Sequence, residues 1–302
     1  MRQRVLRLIL GVLVVMSGAP ARAQRDSLLV TPAWLAAHLS DPKIVVLHVG
    51  DEAAYAAGHI PGARFVSLQQ ISAPPAGTPP LSLEMSAPDL LRTQLASLGI
   101  SNDSHVVTYW PKDSIQSATR AMFTLYYAGL TNVSLLDGGM PAWVREGHEL
   151  STAVPPARTG TLAAITPAPL VVDAAFVQAH VNAPGYVVVD ARDAAFFDGT
   201  NIGGPTDHRV AGHIAGAHSV PFNQVVTADM HLKSAQELEA LFAKASVKAG
   251  DTVVAYCHIG QQATATLVAA RSLGHPVLLY DGSFEDWARR GLPVENPSKK
   301  DE

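Results

Sequence analysis

The sequence predicts an α/β fold made of two tandem domains, each an open, mostly parallel sheet with helices on both faces. Three observations point there. The chain has 302 residues, about twice the length of an ordinary single domain. Its second half repeats its first half segment by segment, which marks an internal duplication. Its strand candidates, such as Ile44 to Val46, Val106 to Val107 and Val133 to Leu136, are short, continuously apolar runs. Runs of that kind suit strands buried on both faces. They alternate with amphipathic stretches such as Asp89 to Leu98 and Ala263 to Leu273, as helices flanking a parallel sheet require.

Composition narrows the class further. Hydrophobic residues make up 48% and charged residues 16%, and the mean hydropathy of +0.15 is too apolar for a disordered chain. A formal net charge of −4 offers no basic face for a phosphate backbone, so nucleic acid is not expected as a partner. The single cysteine, Cys257, excludes an intramolecular disulfide, a tetrathiolate zinc site and an iron–sulfur cluster. The twelve histidines show no HExxH or paired HxH spacing, so no metal and no other cofactor is expected.

Residues 1–23 combine Arg2, Arg4 and Arg7, an apolar run from Leu8 to Met16, and small residues at Ala21 and Ala23. That is the pattern of a secretory signal peptide cut before Gln24, and the run is short for a stable membrane span. Cleavage removes Arg2, Arg4, Arg7 and Arg22 and takes the formal charge from −4 to −8. The expected mature chain is acidic, periplasmic or secreted, and not inserted in the membrane. A lone thiol in an oxidising space is exposed to oxidation and mixed disulfides, which raises the weight of a function for Cys257.

The predicted first domain covers 24–150, a linker 151–169, and the second domain 170–302. Each element recurs in order. TPAWLAAHL faces DAAFVQAHV, IVVLHVG faces YVVVDAR, and GHIPGA (Gly58 to Ala63) faces GHIAGA (Gly212 to Ala217). HVVTYW, ending at Trp110, faces TVVAYC, ending at Cys257, and VSLLDGGMPAW faces VLLYDGSFEDW. The spacing is steady except for an insertion at 196–211. The linker carries four prolines among small residues, a composition that favours irregular chain. His59 and His213 occur in both halves, including the one without a cysteine, which favours a structural role; Trp143 and Trp287 read as core packing.

Cys257 stands just after a buried strand and just before an alanine-rich helix. A strand–loop–helix junction of this kind turns backbone N–H groups inward, and the helix N-terminus adds positive potential. A thiol pKa lowered to somewhere between ~3.5 and ~7.5 is expected in such a setting. Packing as a small hydrophobe is the plainer alternative.

The run VVAYCHIGQQATATLVAARSLGHPVLLYDGSFEDWARRGLPVE, with VVVDAR and GHIAGAHSVPF, resembles the rhodanese family of sulfurtransferases. The likeness extends over both halves and follows the tandem form in which only the second domain is active. It implies a persulfide cycle: the Cys257 thiolate takes sulfane sulfur from thiosulfate, releases sulfite, and passes the sulfur to cyanide or a thiol. The loop amides of His258, Ile259, Gly260, Gln261, Gln262 and Ala263 would hold thiolate and persulfide. With Trp110 in place of the cysteine, the first half is a scaffold that covers part of the second half's site.

The donor-binding set departs from the family's. An arginine common six residues beyond the aspartate matching Asp190 is here Phe196. Asp190 and Arg192 are candidate donor-binding residues that also suit a structural ion pair. Arg209 and His208, in the insertion, are candidates to replace the missing arginine. A carboxylate clamp is more damaged by that loss than binding of a compact dianion, so thiosulfate is favoured over 3-mercaptopyruvate. A non-catalytic exported sulfur carrier is the other alternative. A cysteine phosphatase needs an arginine six residues after the cysteine, and that place is Ala263.

Overall fold

The computed structural model describes residues 25–112, 115–202 and 210–299. The first half forms a sheet of five parallel strands: β1 (Leu29–Val30), β2 (Ile44–Val49), β3 (Arg64–Val66), β4 (His105–Tyr109) and β5 (Val133–Leu136), in the order β1-β5-β4-β2-β3. The second half repeats it with β6 (Val171–Val172), β7 (Tyr186–Asp190), β9 (His218–Ser219), β10 (Thr252–Tyr256) and β11 (Val277–Tyr280), in the order β6-β11-β10-β7-β9. A small antiparallel pair, β8 (His213–Ile214) with β12 (Val294–Glu295), stands apart from that sheet.

The duplication reaches single hydrogen bonds. Helix α1 (Pro32–His38) is capped by Thr31, whose Oγ1 accepts the Trp34 N–H at 3.1 Å, and its counterpart α6 (Ala174–His180) is capped by Asp173 from Phe176 N–H at 2.9 Å. Each cap satisfies an N–H that the helix itself leaves unpaired. Both helices end on a histidine whose Nδ1 meets the carbonyl four residues earlier, His38 to Trp34 at 2.7 Å and His180 to Phe176 at 2.8 Å. His59 Nδ1 likewise meets the Tyr55 carbonyl at 2.9 Å, and His213 Nδ1 the Phe197 carbonyl at 2.7 Å. Each ring stacks on the aromatic residue it bonds to. Both are structural histidines. Trp143 and Trp287 are buried, and each indole N–H donates to a carbonyl at 2.9 Å.

The central helices α4 (Ile115–Tyr127) and α9 (Gln262–Ser272) follow the Trp110 and Cys257 loops and pack against each other across the two halves, with Thr119 and Thr264 hydroxyls 2.9 Å apart. One core cluster therefore runs from Val45 and Leu47 of the first sheet to Val253 and Cys257 of the second. The halves also exchange loops in a pseudo-symmetric clasp. Met85 N–H of the first half donates to Asp281 Oδ2 at 2.7 Å, and Leu232 N–H of the second donates to Asp137 Oδ1 at 2.9 Å. Residues 151–169 hold no helix or named strand, yet they are tied to the first half. Gly160 N–H donates to the Ala96 carbonyl at 2.8 Å, and Ala168 N–H to the Tyr127 carbonyl at 2.8 Å.

Candidate active site

Strand β10 is buried through Tyr256 and delivers Cys257 at its carboxyl end, and α9 begins at Gln262. The intervening loop closes on itself because Gly260 takes φ +76°, a conformation that disfavours any side chain. A Cβ there would also lie 2.8 Å from the Asp281 carbonyl oxygen and 3.0 Å from an Arg120 guanidinium nitrogen. The backbone N–H groups of Ala263, Ile259 and Gln262 hydrogen-bond the Cys257 sulfur. Three of the six loop residues singled out in the sequence, Ile259, Gln262 and Ala263, supply these donors.

The loop is braced from beneath by the turn that opens α10 (Ser283–Arg289). Ser283 sits at φ +54°, rare for a residue with a side chain. Its Oγ accepts the Cys257 N–H at 3.2 Å and donates to the Tyr280 carbonyl at 2.9 Å. Phe284 N–H donates to the Cys257 carbonyl and Glu285 N–H to the His258 carbonyl, each at 3.0 Å. The first half has Gly139 at φ +57° in the place of Ser283. A Cβ on Gly139 would come within 2.6 Å of the Trp110 ring. Loss of the side chain there makes room for the indole that fills the position of the reactive sulfur.

The electrostatics differ from the sequence expectation at Cys257, and His258 beside it is also shifted. Burial pushes the Cys257 thiol up, outweighing the N–H groups of Ala263, Ile259 and Gln262 that pull it down, with the Asp190 carboxylate adding to the rise. The direction is opposite to the acidified cysteine expected from the strand–loop–helix setting, because the sulfur is enclosed. His258 is lowered to about 4, first by burial and then by the Arg192 charge. Its ring is packed edge-on against Phe196, with centroids 4.5 Å apart. It is neutral at physiological pH, so it supplies no positive charge to a donor anion.

Of the two readings the sequence leaves open for Asp190 and Arg192, donor binding or a structural ion pair, the geometry shows the ion pair. Register places Asp190 beside Tyr256, one residue before the cysteine. Arg192 Nη2 donates to Asp190 Oδ2 at 2.6 Å and to the Gly212 carbonyl at 2.7 Å, and Nε bonds both carboxylate oxygens. The Tyr256 hydroxyl donates to Asp190 Oδ2 at 2.8 Å. The guanidinium lies 4.0 Å from the centre of the Phe284 ring, within cation–π range. Burial alone would lower the Arg192 pKa, but Asp190 holds it above its ordinary value. Both side chains are enclosed and committed to one another. The first half has lost this arrangement: His48 Nδ1 meets the Tyr109 hydroxyl at 2.9 Å, and Gly50 stands in the place of Arg192.

A crevice beside the cysteine loop lies between the halves. Ile259 and Gln261 line a cavity of about 1070 Å³ whose other walls come from the first half, among them Leu68, Pro74, Pro80 and Lys112. Gln261 Nε2 donates across it to Ser117 Oγ at 3.1 Å. Lys112 is the one basic side chain among the described lining residues. Gly260 and Ala263 are buried and Gln262 half-buried. Ala263, where a phosphatase would need arginine, brings no charge to the loop. Arg209 and His208 lie outside the described residues. Sequence reasoning missed Ser283, whose signal is the DGS that faces DGG in the repeat. It also missed Arg120, an isolated cation in the apolar run ATRAMFTLYYAGL.

Comparison with known proteins fits this geometry. A family model for the rhodanese-like domain matches residues 31–146 and 173–290. The chain is 33% identical over 276 residues to a 3-mercaptopyruvate sulfurtransferase of Escherichia coli, covering 87% of this chain and 95% of that one. It is 32% identical to the sulfur carrier protein TtuD of Thermus thermophilus (88% and 95% covered) and 30% identical to a thiosulfate sulfurtransferase of Rattus norvegicus (90% and 95%). Among solved structures, SseA from Escherichia coli, described as a 3-mercaptopyruvate sulfotransferase of rhodanese fold, superposes with a TM-score of 0.74 at 30% identity, covering 85% of this chain and 98% of that one. The chain belongs to the rhodanese family, as a tandem of two rhodanese-like domains of which only the second carries a cysteine.

Proposed function

We propose that the chain is a sulfurtransferase that draws sulfane sulfur from thiosulfate and carries it as a persulfide on Cys257. The observation that carries this is the sulfur of the only cysteine, held by the N–H groups of Ala263, Ile259 and Gln262 beside an inter-domain crevice. When the loop opens enough for water and donor to reach the enclosed sulfur, the Cys257 thiol gives its proton to water. The thiolate attacks the outer sulfur of thiosulfate, the S–S bond of the donor breaks, and sulfite leaves with that electron pair. The persulfide is then attacked at its outer sulfur by cyanide or a thiolate, which departs as thiocyanate or a persulfide and returns the Cys257 thiolate. This is two-step covalent catalysis with ping-pong kinetics.

Thiosulfate is favoured over 3-mercaptopyruvate by what faces the loop. Phe196 brings a ring against His258 in place of a guanidinium. The cation lining the described crevice is Lys112, a point charge suited to a compact dianion more than to the two oxygens of a carboxylate. The 3-mercaptopyruvate alternative draws support from the similar Escherichia coli protein of that name, and the carrier alternative from the Thermus thermophilus one. Measuring sulfite and pyruvate release side by side separates the three. A higher kcat/KM with thiosulfate is expected; a higher value with 3-mercaptopyruvate reverses the donor. Persulfide formation without turnover on either donor, with cyanide present, means a carrier.

We also propose that the chain is exported and begins at Gln24 when mature. Residues 1–24 lie outside the described residues, and the support is the leader's basic start, short apolar run and small residues before Gln24. Among the described residues no helix is long and apolar enough to cross a membrane. N-terminal sequencing of protein from the periplasmic fraction should read Gln24 first; an intact Met1 start in the membrane fraction means an uncleaved anchor.

A further inference from the structure

Arg120 belongs to the half without a cysteine, yet its side chain ends at the cysteine loop of the other half. It is enclosed to 1% exposure. Its Nη1 donates to the Gly260 carbonyl at 3.1 Å and to Asp281 Oδ1 at 2.7 Å, and its Nη2 donates to the Leu83 carbonyl. Leu83 belongs to the first half's crossing loop, and Asp281 is held from that same loop by Met85 N–H. Asp281 stands two residues before Ser283, which accepts the Cys257 N–H. One guanidinium therefore joins the crossing loop, the turn beneath the cysteine, and the cysteine loop itself.

The Gly260 contact has a direct geometric effect. In a planar trans peptide the C=O and the following N–H point in opposite directions. Holding the Gly260 carbonyl towards Arg120 turns the Gln261 N–H away from Arg120. It also fixes the peptide that precedes Gln262 and Ala263, two of the residues whose N–H groups hold the Cys257 sulfur. Gly260 has no side chain to lock its own dihedral angles, and its left-handed φ leaves this loop dependent on an outside anchor. The clasp is asymmetric. On the other side Asp137 is met by His231 Nδ1 at 3.2 Å, with no comparable reach into the Trp110 loop among the described residues.

From this we infer that Arg120 is a positioning residue for sulfur transfer: the cysteine-less half sets the donor geometry of the Cys257 loop through the Arg120–Gly260–Asp281 contacts. The inference rests on the proposed persulfide chemistry. It gives the first half a part in the reaction beyond covering the crevice.

The test uses the full mature chain as wild type and as Arg120→Gln, Arg120→Lys and Asp137→Ala. The last removes the inter-domain hydrogen bond to Leu232 on the other side of the clasp, away from the loop. Three readouts are needed: thermal midpoint, kcat and KM for thiosulfate, and the pH dependence of Cys257 alkylation by iodoacetamide. Displaced loop donors lower kcat by about 10- to 100-fold in Arg120→Gln, with the alkylation midpoint moved to higher pH because fewer N–H groups face the thiolate. Arg120→Lys should recover the thermal midpoint through Asp281 but not kcat, since an ammonium lacks the planar fork that reaches three acceptors. Asp137→Ala should lower only the thermal midpoint. If Arg120→Gln does not fold, Arg120→Lys decides the matter alone. Wild-type kcat and alkylation midpoint in whichever Arg120 variant folds overturn the inference and leave Arg120 an inter-domain clamp. A wild type that forms no persulfide is a separate failure, that of the chemistry itself.

Discussion

Cys257→Ser should abolish sulfur transfer while leaving the fold in place. Ser and Cys are nearly isosteric, and the backbone anchors of residue 257, Ser283 Oγ and the Phe284 N–H, do not depend on its side chain. A hydroxyl cannot form a persulfide, and no second cysteine exists to take its place. Turnover should fall to the uncatalysed rate, with circular dichroism and thermal midpoint close to wild type. Turnover retained in this variant would remove Cys257 from the reaction.

The second large effect is on stability. Arg192→Met leaves the Asp190 carboxylate enclosed without its guanidinium partner, and removing one member of a buried ion pair costs about 3–5 kcal/mol. Asp190→Asn should be similarly harmful, because it weakens the bonds to both Arg192 and Tyr256. The double variant should lose less than the sum of the singles, the signature of a coupled pair. Guanidinium unfolding of the four proteins measures this, with KM for thiosulfate determined at a temperature where all are folded. The assignment of these residues to the frame predicts a lowered midpoint and a KM near that of wild type. An unchanged midpoint with a raised KM would restore them as donor-binding residues.

That reassignment illustrates what the sequence could and could not convey. The repeat, the buried parallel strands and the strand–loop–helix setting of Cys257 are local patterns, and each was legible residue by residue. Asp190 and Arg192 were legible as a pair. Their orientation was not, because it is fixed by Tyr256, Phe284 and the Gly212 carbonyl, which come from distant parts of the chain. His258 has the same history. Its place next to the cysteine is visible in the sequence, but the burial and the Arg192 charge that keep it neutral are not. Burial also decides Cys257: the N–H donors follow from the loop pattern, while the desolvation that outweighs them depends on how the whole core closes. Arg120 was least legible, since nothing in a helix of the first half reports which loop of the second half it meets.

The same comparison shows how the first half's loop differs from the second's. Trp110 has displaced the sulfur, Gly139 has replaced the serine that would collide with the indole, and His48 and Gly50 have replaced the ion pair. These changes are mutually consistent: they exchange a polar, braced loop for a filled apolar one. What remains is the surface that walls the crevice and the Arg120 contact.

The most direct measurement is the intact mass of the mature protein after stoichiometric thiosulfate, followed by cyanide. A single addition of about 32 Da, one sulfur on the one available thiolate, should appear with thiosulfate and disappear with cyanide. It should be absent in Cys257→Ser. An unmodified mass throughout, or an adduct that persists in the serine variant, would contradict a Cys257 persulfide as the carrier of sulfur.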